Sequence, residues 1–331
     1  MGLVRVRPDF RIMADAADVT AQIRDRLLSL VVTDAAGMES DTVEIALDDR
    51  DGMIELPRTG ATLSVAMGYV DEGVMSMGRF VVDEVALSSP PQTLTIRARA
   101  ADLRQGLKRP RTRPWEGKSI GDMVAQIAGE HGYTPKVADA LASEVIPHID
   151  QVDESDLNFL TRLARDRGAI CKGAEGLLLF VPPGEAKSAS GRDLPVVAAT
   201  RQMVTSWEVT LAERGKYPAV SARWFDVVSA TEQVVHVGTG EPVHMIRRRY
   251  PDQGAAQSAA SAQLSTFMRG LATLRLRMVG RPDLLAESRL MLSGIRAGVD
   301  GAWSVSRVVH RLDSGGYTCE VEAESPKEEA V

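Results

Sequence analysis

From Thr42 to Leu47 every second residue is apolar, with Val43, Ile45 and Leu47 set against Thr42, Glu44 and Ala46. A period of two places the two sets on opposite faces of an extended chain, so the pattern predicts a half-buried β-strand. The run stops at Asp48-Asp49-Arg50-Asp51-Gly52, a cluster of turn formers. Ala61 to Met67 repeats the pattern through Leu63, Val65 and Met67, and a turn follows around Asp71-Glu72-Gly73. Thr93 to Arg99 repeats it again, with Leu94, Ile96 and Ala98 against Thr93, Thr95, Arg97 and Arg99. Short alternating strands separated by turns confine the first hundred residues to a small barrel or sandwich.

The period changes after Pro110. Ile120, Met123, Val124, Ile127 and Ala128 fall on one face of a 3.6-residue repeat, which predicts a helix over Ser119 to His131. Ser119 with Asp122 supplies the cap, and Gly132 and Pro135 supply the stop. A second helix, starting near Asp153 or Ser155, carries Leu157, Leu160, Leu163 and Ala164. Its acids (Glu154, Asp156) lie in the first turn and its bases (Arg162, Arg165, Arg167) at the end, as the macrodipole favours, and Gly168 closes it. Leu177 to Val181 then reads as a short apolar strand before Pro182-Pro183-Gly184.

A small, polar stretch from Lys187 to Leu194 predicts a domain junction. β patterning returns at Val204 to Leu211, Ala219 to Val228 and Gln233 to Val237. An alanine-rich helix follows, with Ala256, Ala260, Leu264, Phe267 and Met268 on one face. Leu274, Leu276 and Met278 then alternate with Arg275 and Arg277. Trp303 to Val309 and Tyr317 to Val321 predict a closing hairpin through Asp313-Ser314-Gly315-Gly316, and the charged residues Glu324 to Val331 predict a frayed end. The expected class is α+β, mainly β. Three segments are expected: 1–108 (β), 109–186 (a small α/β unit) and 187–331 (β, with a helix inserted at about 253–270).

The 331 residues suffice for two or three domains, and 44% hydrophobic with 25% charged residues is ordinary for a soluble globular chain. The net charge of -6 opposes a role centred on nucleic acid, since phosphate neutralisation dominates such affinity. Two basic runs, Lys108-Arg109-Pro110-Arg111-Thr112-Arg113 and Arg247-Arg248-Arg249, read as solvated loops or charged rims. Two cysteines, Cys171 and Cys319, build neither a disulfide framework nor a cysteine zinc site and read as small core residues. No apolar h-region follows the N-terminal arginines, and no window approaches the ~18 apolar residues of a membrane span. A soluble protein made in a cytoplasm is expected.

Motifs that carry chemistry are lookalikes. The histidines His131, His148, His236, His244 and His310 are dispersed, without metal-ligand spacing. Glu116-Gly117-Lys118-Ser119 resembles the end of a phosphate loop, but Thr112 stands where its first glycine is needed. It reads as a turn into a capped helix. Asp153, Glu154 and Asp156 could be taken for acid/base groups, though acids at a helix start more often serve the cap and dipole. No catalytic, cofactor-binding or metal-ligating residue is assigned, and no cofactor is expected.

The run Gln151-Val152-Asp153-Glu154-Ser155-Asp156-Leu157-Asn158-Phe159-Leu160-Thr161-Arg162-Leu163-Ala164 resembles the late control D family of phage tail proteins, which carry QxxESDLxFLxRLA there. Trp115 to Ser119, His131 to Pro135, Arg247 to Tyr250, Gly301 to Trp303 and Gly315 to Thr318 resemble it too, in order. The resemblance implies a baseplate hub related to the hub half of type VI secretion valine-glycine repeat proteins. It implies two tube-protein-like β-barrels per subunit around an inserted small α/β domain. Three subunits would form a homotrimeric ring joining a tail spike protein to a tail tube or tube-initiator protein, beside other baseplate proteins. It would sit in the virion tail after assembly in the bacterial cytoplasm, with the spike a separate protein because the chain ends without a needle. Two alternatives come from other classes: a tail-tip peptidoglycan hydrolase using the Asp153–Asp156 acids, and a glycan-binding module in residues 110–185.

Overall fold

The computed structural model describes residues 7–36, 40–101, 105–174, 176–182, 196–211, 217–269 and 272–325. The chain separates into two compact units. Met1–Leu103, Pro195–Glu208 and Leu274–Ala323 form the first, and Arg104–Leu194, Val209–Thr273 and Glu324–Val331 the second. The fold is mainly β with fewer helices, as the patterning requires. The junction expected at 187–194 and most of the tail expected to fray lie outside the described residues.

The first unit is built on one long sheet. In hydrogen-bonding order its strands run Ala17–Asp18, Pro8–Ala14, Thr62–Tyr69, Gly73–Ser88, Thr93–Ala100, Thr42–Asp48, Leu27–Ala35, Gly301–Asp313, Gly316–Glu324, Ala272–Val279 and Val204–Leu211. The unit boundary falls within the last three. Arg289–Ser293 pairs with Gly301–Asp313 and, in parallel, with Val196–Thr200. Among the described residues no ladder closes into a ring.

The join between N- and C-terminal strands is Leu27–Ala35 against Gly301–Asp313, with Leu30 opposite Leu312 and Val32 opposite His310. Those four side chains are buried, so the period of two fixes this register: a one-residue slip would turn all of them to solvent. Val43, Ile45 and Leu47 are buried as their alternation predicts, and Glu44 faces out, where Arg97 bridges it to Glu84 at 2.8 and 2.7 Å. Pro8–Ala14 and Leu27–Ala35 are strands that the pattern reading passes over.

Gly280 shows how tightly this core closes. Its N–H donates to the Tyr317 carbonyl at 2.9 Å, and its own carbonyl accepts from the Tyr69 hydroxyl at 2.7 Å. A Cβ placed there would overlap the Tyr317 ring. That ring is held by a 2.9 Å contact from its hydroxyl to His310 Nδ1, so it cannot swing away freely. Gly280→Ala is expected to cost about 1–3 kcal/mol as an overpacking substitution. A lower urea midpoint at unchanged m-value would show it. An unchanged midpoint would mean that the ring moves.

The second unit holds two smaller assemblies. In one, Pro110–Ser119 pairs antiparallel with Val145–Ser155, and each strand runs directly into a helix, Ile120–His131 and Asp156–Arg165. Thr134–Val137, Leu177–Val181 and Ile170–Ala174 form a three-stranded sheet, and the short helix Asp139–Ala142 follows the first of these strands. In the other, Thr231–Gly238 and Val243–Tyr250 flank Ala219–Asp226, and the helix Gln253–Arg269 covers them. Ala256, Ala259 and Ala260 pack on Val220, Ala222, Val235 and Tyr250, small residues that let the helix approach the sheet closely.

Three sequence readings change here. Arg111 and Arg113 are not in a loop: they lie in a paired strand, and both reach carboxylates. Glu116–Ser119 is the end of that paired strand rather than a turn, although it still leads into a capped helix, with Ser119 Oγ accepting from Asp122 N–H at 3.1 Å. Val145–Ser155 is a strand that no apolar alternation announces, because two of its three buried positions are Gln151 and Ser155.

Candidate functional site

The family-like run from Gln151 to Ala164 starts in a strand and ends in a helix, with a register shift between Gln151 and Glu154. Asp153 occupies the shift with φ of 47°, and its N–H donates to Thr112 Oγ1 at 3.0 Å. Ser155 is the N-cap, accepting from Asn158 N–H at 3.2 Å. Phe159, Leu160, Leu163 and Ala164 are buried, so the helical stripe faces the core.

Asp156 sits at the centre with no solvent exposure. Its Oδ1 accepts from Arg113 Nη2 at 2.6 Å and from Gln151 Nε2 at 2.9 Å, and its Oδ2 lies 2.8 Å from His131 Nε2. An ionised carboxylate only accepts, so Nε2 carries the imidazole proton. Gln151, also fully buried, donates to the Glu154 carbonyl at 2.8 Å, and its Oε1 accepts from Arg113 Nε at 3.0 Å. Above this layer Glu130 receives Arg111 at 2.6 Å and Arg113 at 2.7 Å. Burial works against the charge on Asp156, but the bonds from His131 and Gln151 and the charges of Arg113 and Arg111 hold its carboxyl below the usual range.

An aromatic stack braces the same cluster. The Arg113 guanidinium lies 4.5 Å from the centre of the Trp115 ring, which stacks on Phe159 at 5.7 Å and 13°. Arg162 closes the far side, 5.4 Å from the Phe159 centre, and pairs with Glu154 at 2.7 Å. Gly106 belongs here too, since a Cβ on it would stand 2.9 Å from His131 Nδ1.

Glu130, His131 and Asp156 bring three possible ligand atoms within 4.8 Å of one another. The donor set suits a metal poorly. Both carboxylates already accept from Arg111 or Arg113, and guanidiniums that cannot deprotonate would repel a cation from the same oxygens. Sequence reasoning missed the gathering because its members come from four separate elements. The acids weighed for hydrolysis part company: Asp156 is sealed, Glu154 is paired with Arg162, and Asp153 sits on the strand shift.

A Cys–His neighbour pair in the first unit has equally little nucleophilic character. Cys319 Sγ lies 3.3 Å from His310 Nδ1, and His310 Nε2 donates to the Leu284 carbonyl at 3.1 Å. Burial pushes the Cys319 thiol up to about 12 and the imidazole down to about 4, so both stay neutral at physiological pH. Cys171 is buried as well, its thiol likewise pushed up to about 12.

Among the described residues, the polar cluster around Asp156 is an internal brace within a mainly β fold. The chain matches the phage tail baseplate hub family over residues 34–316, and it belongs to that family. It is 33% identical over 360 residues to the probable baseplate hub protein of Escherichia phage 186, covering 96% of this chain and 92% of the relative. Among solved structures it resembles the 43 kDa tail protein of prophage MuSo2 from Shewanella oneidensis, with a TM-score of 0.70 at 13% identity over 96% of this chain and 98% of the other. A type VI secretion component of E. coli, described as similar to the T4 bacteriophage tail proteins gp27 and gp5, gives 0.59 at 11% identity over 92% and 74%. At those identities the structural likeness is one of fold.

Proposed function

We propose that this chain is the ring subunit of a baseplate hub, three copies of which join a central spike to the tail tube of a contractile injection device. The observation that carries the reading is the family match across 34–316, in a chain spanning 92% of its phage 186 relative. On this reading segments 1–108 and 187–331 supply the tube-like β-barrels and 109–186 is a rigid inserted domain. The function is then geometric and non-enzymatic: large buried interfaces hold the ring, and its symmetry decides what docks above and below. The cluster around Asp156 supports this, because internal bonds engage two of the three acids a hydrolase would use there, Glu154 and Asp156.

The test is solution mass by light scattering, for the purified chain alone and mixed with the spike protein of its own gene neighbourhood. A trimer, or a monomer that becomes a three-to-three complex with the spike, is expected. A persistent monomer that ignores the spike overturns the proposal.

A further inference from the structure

Val145–Ser155 is paired along one edge only: Pro110–Ser119 takes that edge, and among the described residues no strand takes the other. An open strand edge presents a row of N–H and C=O groups, and native folds cover or blunt it. From Val145 to Ile149 the backbone makes no further hydrogen bond among the described residues, and the next carbonyl, of Asp150, accepts from Arg162 Nη2 at 3.0 Å. Pro147 at the middle brings a carbonyl and no N–H, which keeps such an edge from pairing indiscriminately.

The same five residues, Val145 to Ile149, all line one cavity of about 500 Å³. Side chains of a strand alternate between its two faces, so consecutive residues share one space where the strand turns its edge to it. The helix Gln253–Arg269 lends Gly254, Ala255 and Ser258 to the lining, small residues that leave the width open. The charges around the cavity are already matched. Arg248 holds Asp166 at 2.8 Å, Arg167 holds Glu144 at 2.9 Å, and the Asp252 carboxylate accepts from Ala255 N–H at 2.8 Å. Strand edge, cavity and helix all belong to the second unit.

We propose that this groove takes an extended segment of another tail protein, which adds to the open edge of Val145–Ser155 as a third strand. The edge itself selects the occupant. An extended chain has N–H and C=O groups free along its length, whereas a helix spends its own internally and a lipid chain has none to offer. Five residues of edge correspond to about 17 Å of added strand. The segment is neutral where it passes the ion pairs, because a charge brought there would lose water and find its counter-charge taken. The choice of partner rests on the hub reading: the spike and the tube-initiator protein are the neighbours it names.

The test uses the full chain, with the spike and tube-initiator proteins of its own gene neighbourhood and short overlapping peptides tiling both. One peptide is expected to bind and to slow amide exchange between Val145 and Ile149. Ser258→Trp, which fills the groove from the helix, is expected to raise that peptide's Kd about tenfold or more. Val145→Asp, at a position 60% exposed and so tolerant of change, sets a charge against the added strand and should act in the same direction. Gln257→Trp, at an exposed position of the same helix, should leave the Kd unchanged. The absence of any peptide that protects these amides, or protection that both groove variants leave intact, overturns the proposal. So does protection in the chain alone, which means a second copy where it grows with concentration and the chain's own cover where it does not. Protection by soluble peptidoglycan fragments would make the groove a glycan site and overturns it too. Intact spike or initiator protein that binds the parent and both variants equally removes the groove and leaves the hub standing. Failure of both proteins to bind the parent takes the hub reading down as well.

Discussion

Asp156→Ala is expected to destabilise the second unit by about 3–5 kcal/mol, the usual loss when one member of a buried charge network is removed. The reason is the set of donors it would strand. Among the described residues Arg113 would keep Glu130 alone as its charged partner, and the Gln151 amide and His131 Nε2 would face an apolar methyl. Gln151 is fully sealed, so water could not replace the lost acceptor without opening the strand shift at 151–154. Asp156→Asn should cost less, about 1–3 kcal/mol, because an amide keeps the shape and His131 can change tautomer to accept from it. What Asn removes is the charge facing Arg113 and Arg111.

The same group sets an acid limit. The folded-state carboxyl of Asp156 is held below its ordinary value of 3.8, so its contribution is fully present above about that pH and is lost as pH falls through the folded value. Equilibrium denaturation of parent and variants, with amide exchange in Asp156–Arg165 as the local readout, would check both statements. Identical denaturation midpoints for parent and Asp156→Ala would mean that the network carries no weight. That outcome, with loss of cell-wall clearing in Asp156→Asn, would also revive the hydrolase reading.

How far the fold was legible follows from which residues are buried. Ile120–His131 and Asp156–Arg165 could be read because their buried residues, His131 and Asp156 aside, are apolar and helically spaced, and because Ser119 and Ser155 are good caps. Val145–Ser155 could not, since its inward positions include Gln151 and Ser155, and a hydrophobicity pattern is blind to a polar residue whose partners are supplied by tertiary structure. The strand Leu27–Ala35 hides for another reason: Leu27, Leu28, Leu30, Val31 and Val32 blur the period on both faces, and only pairing with Gly301–Asp313 shows which side is the core. The motif run pointed at Asp156 and Gln151 by family likeness. It held no sign that Arg113, Glu130 and His131 would meet them, because no spacing rule links separate elements.

His310 is expected to make the first unit lose stability on mild acidification, by up to about 3 kcal/mol between pH 6.5 and pH 4. Burial is the main cause of its lowered value, and the charges of Asp34 and Asp283 and the bond to Leu284 offset it only in part. The sign follows from proton uptake. The unfolded chain protonates this imidazole below about 6.5, whereas the folded protein resists until about 4. Stability is therefore whole above 6.5 and is withdrawn as pH falls toward 4. Geometry explains why the fold keeps the neutral ring. With Nε2–H on the Leu284 carbonyl, Nδ1 of the neutral ring accepts from the Tyr317 hydroxyl, and a proton on Nδ1 would turn that hydroxyl into an acceptor and leave a cationic ring in a site without water access. His310→Gln should lower stability at neutral pH yet flatten its slope between pH 7 and 5 relative to the parent. Urea midpoints at four pH values for the two proteins decide it. Parallel slopes would mean that His310 titrates alike in the folded and unfolded chains, and the acid sensitivity would then belong to other groups.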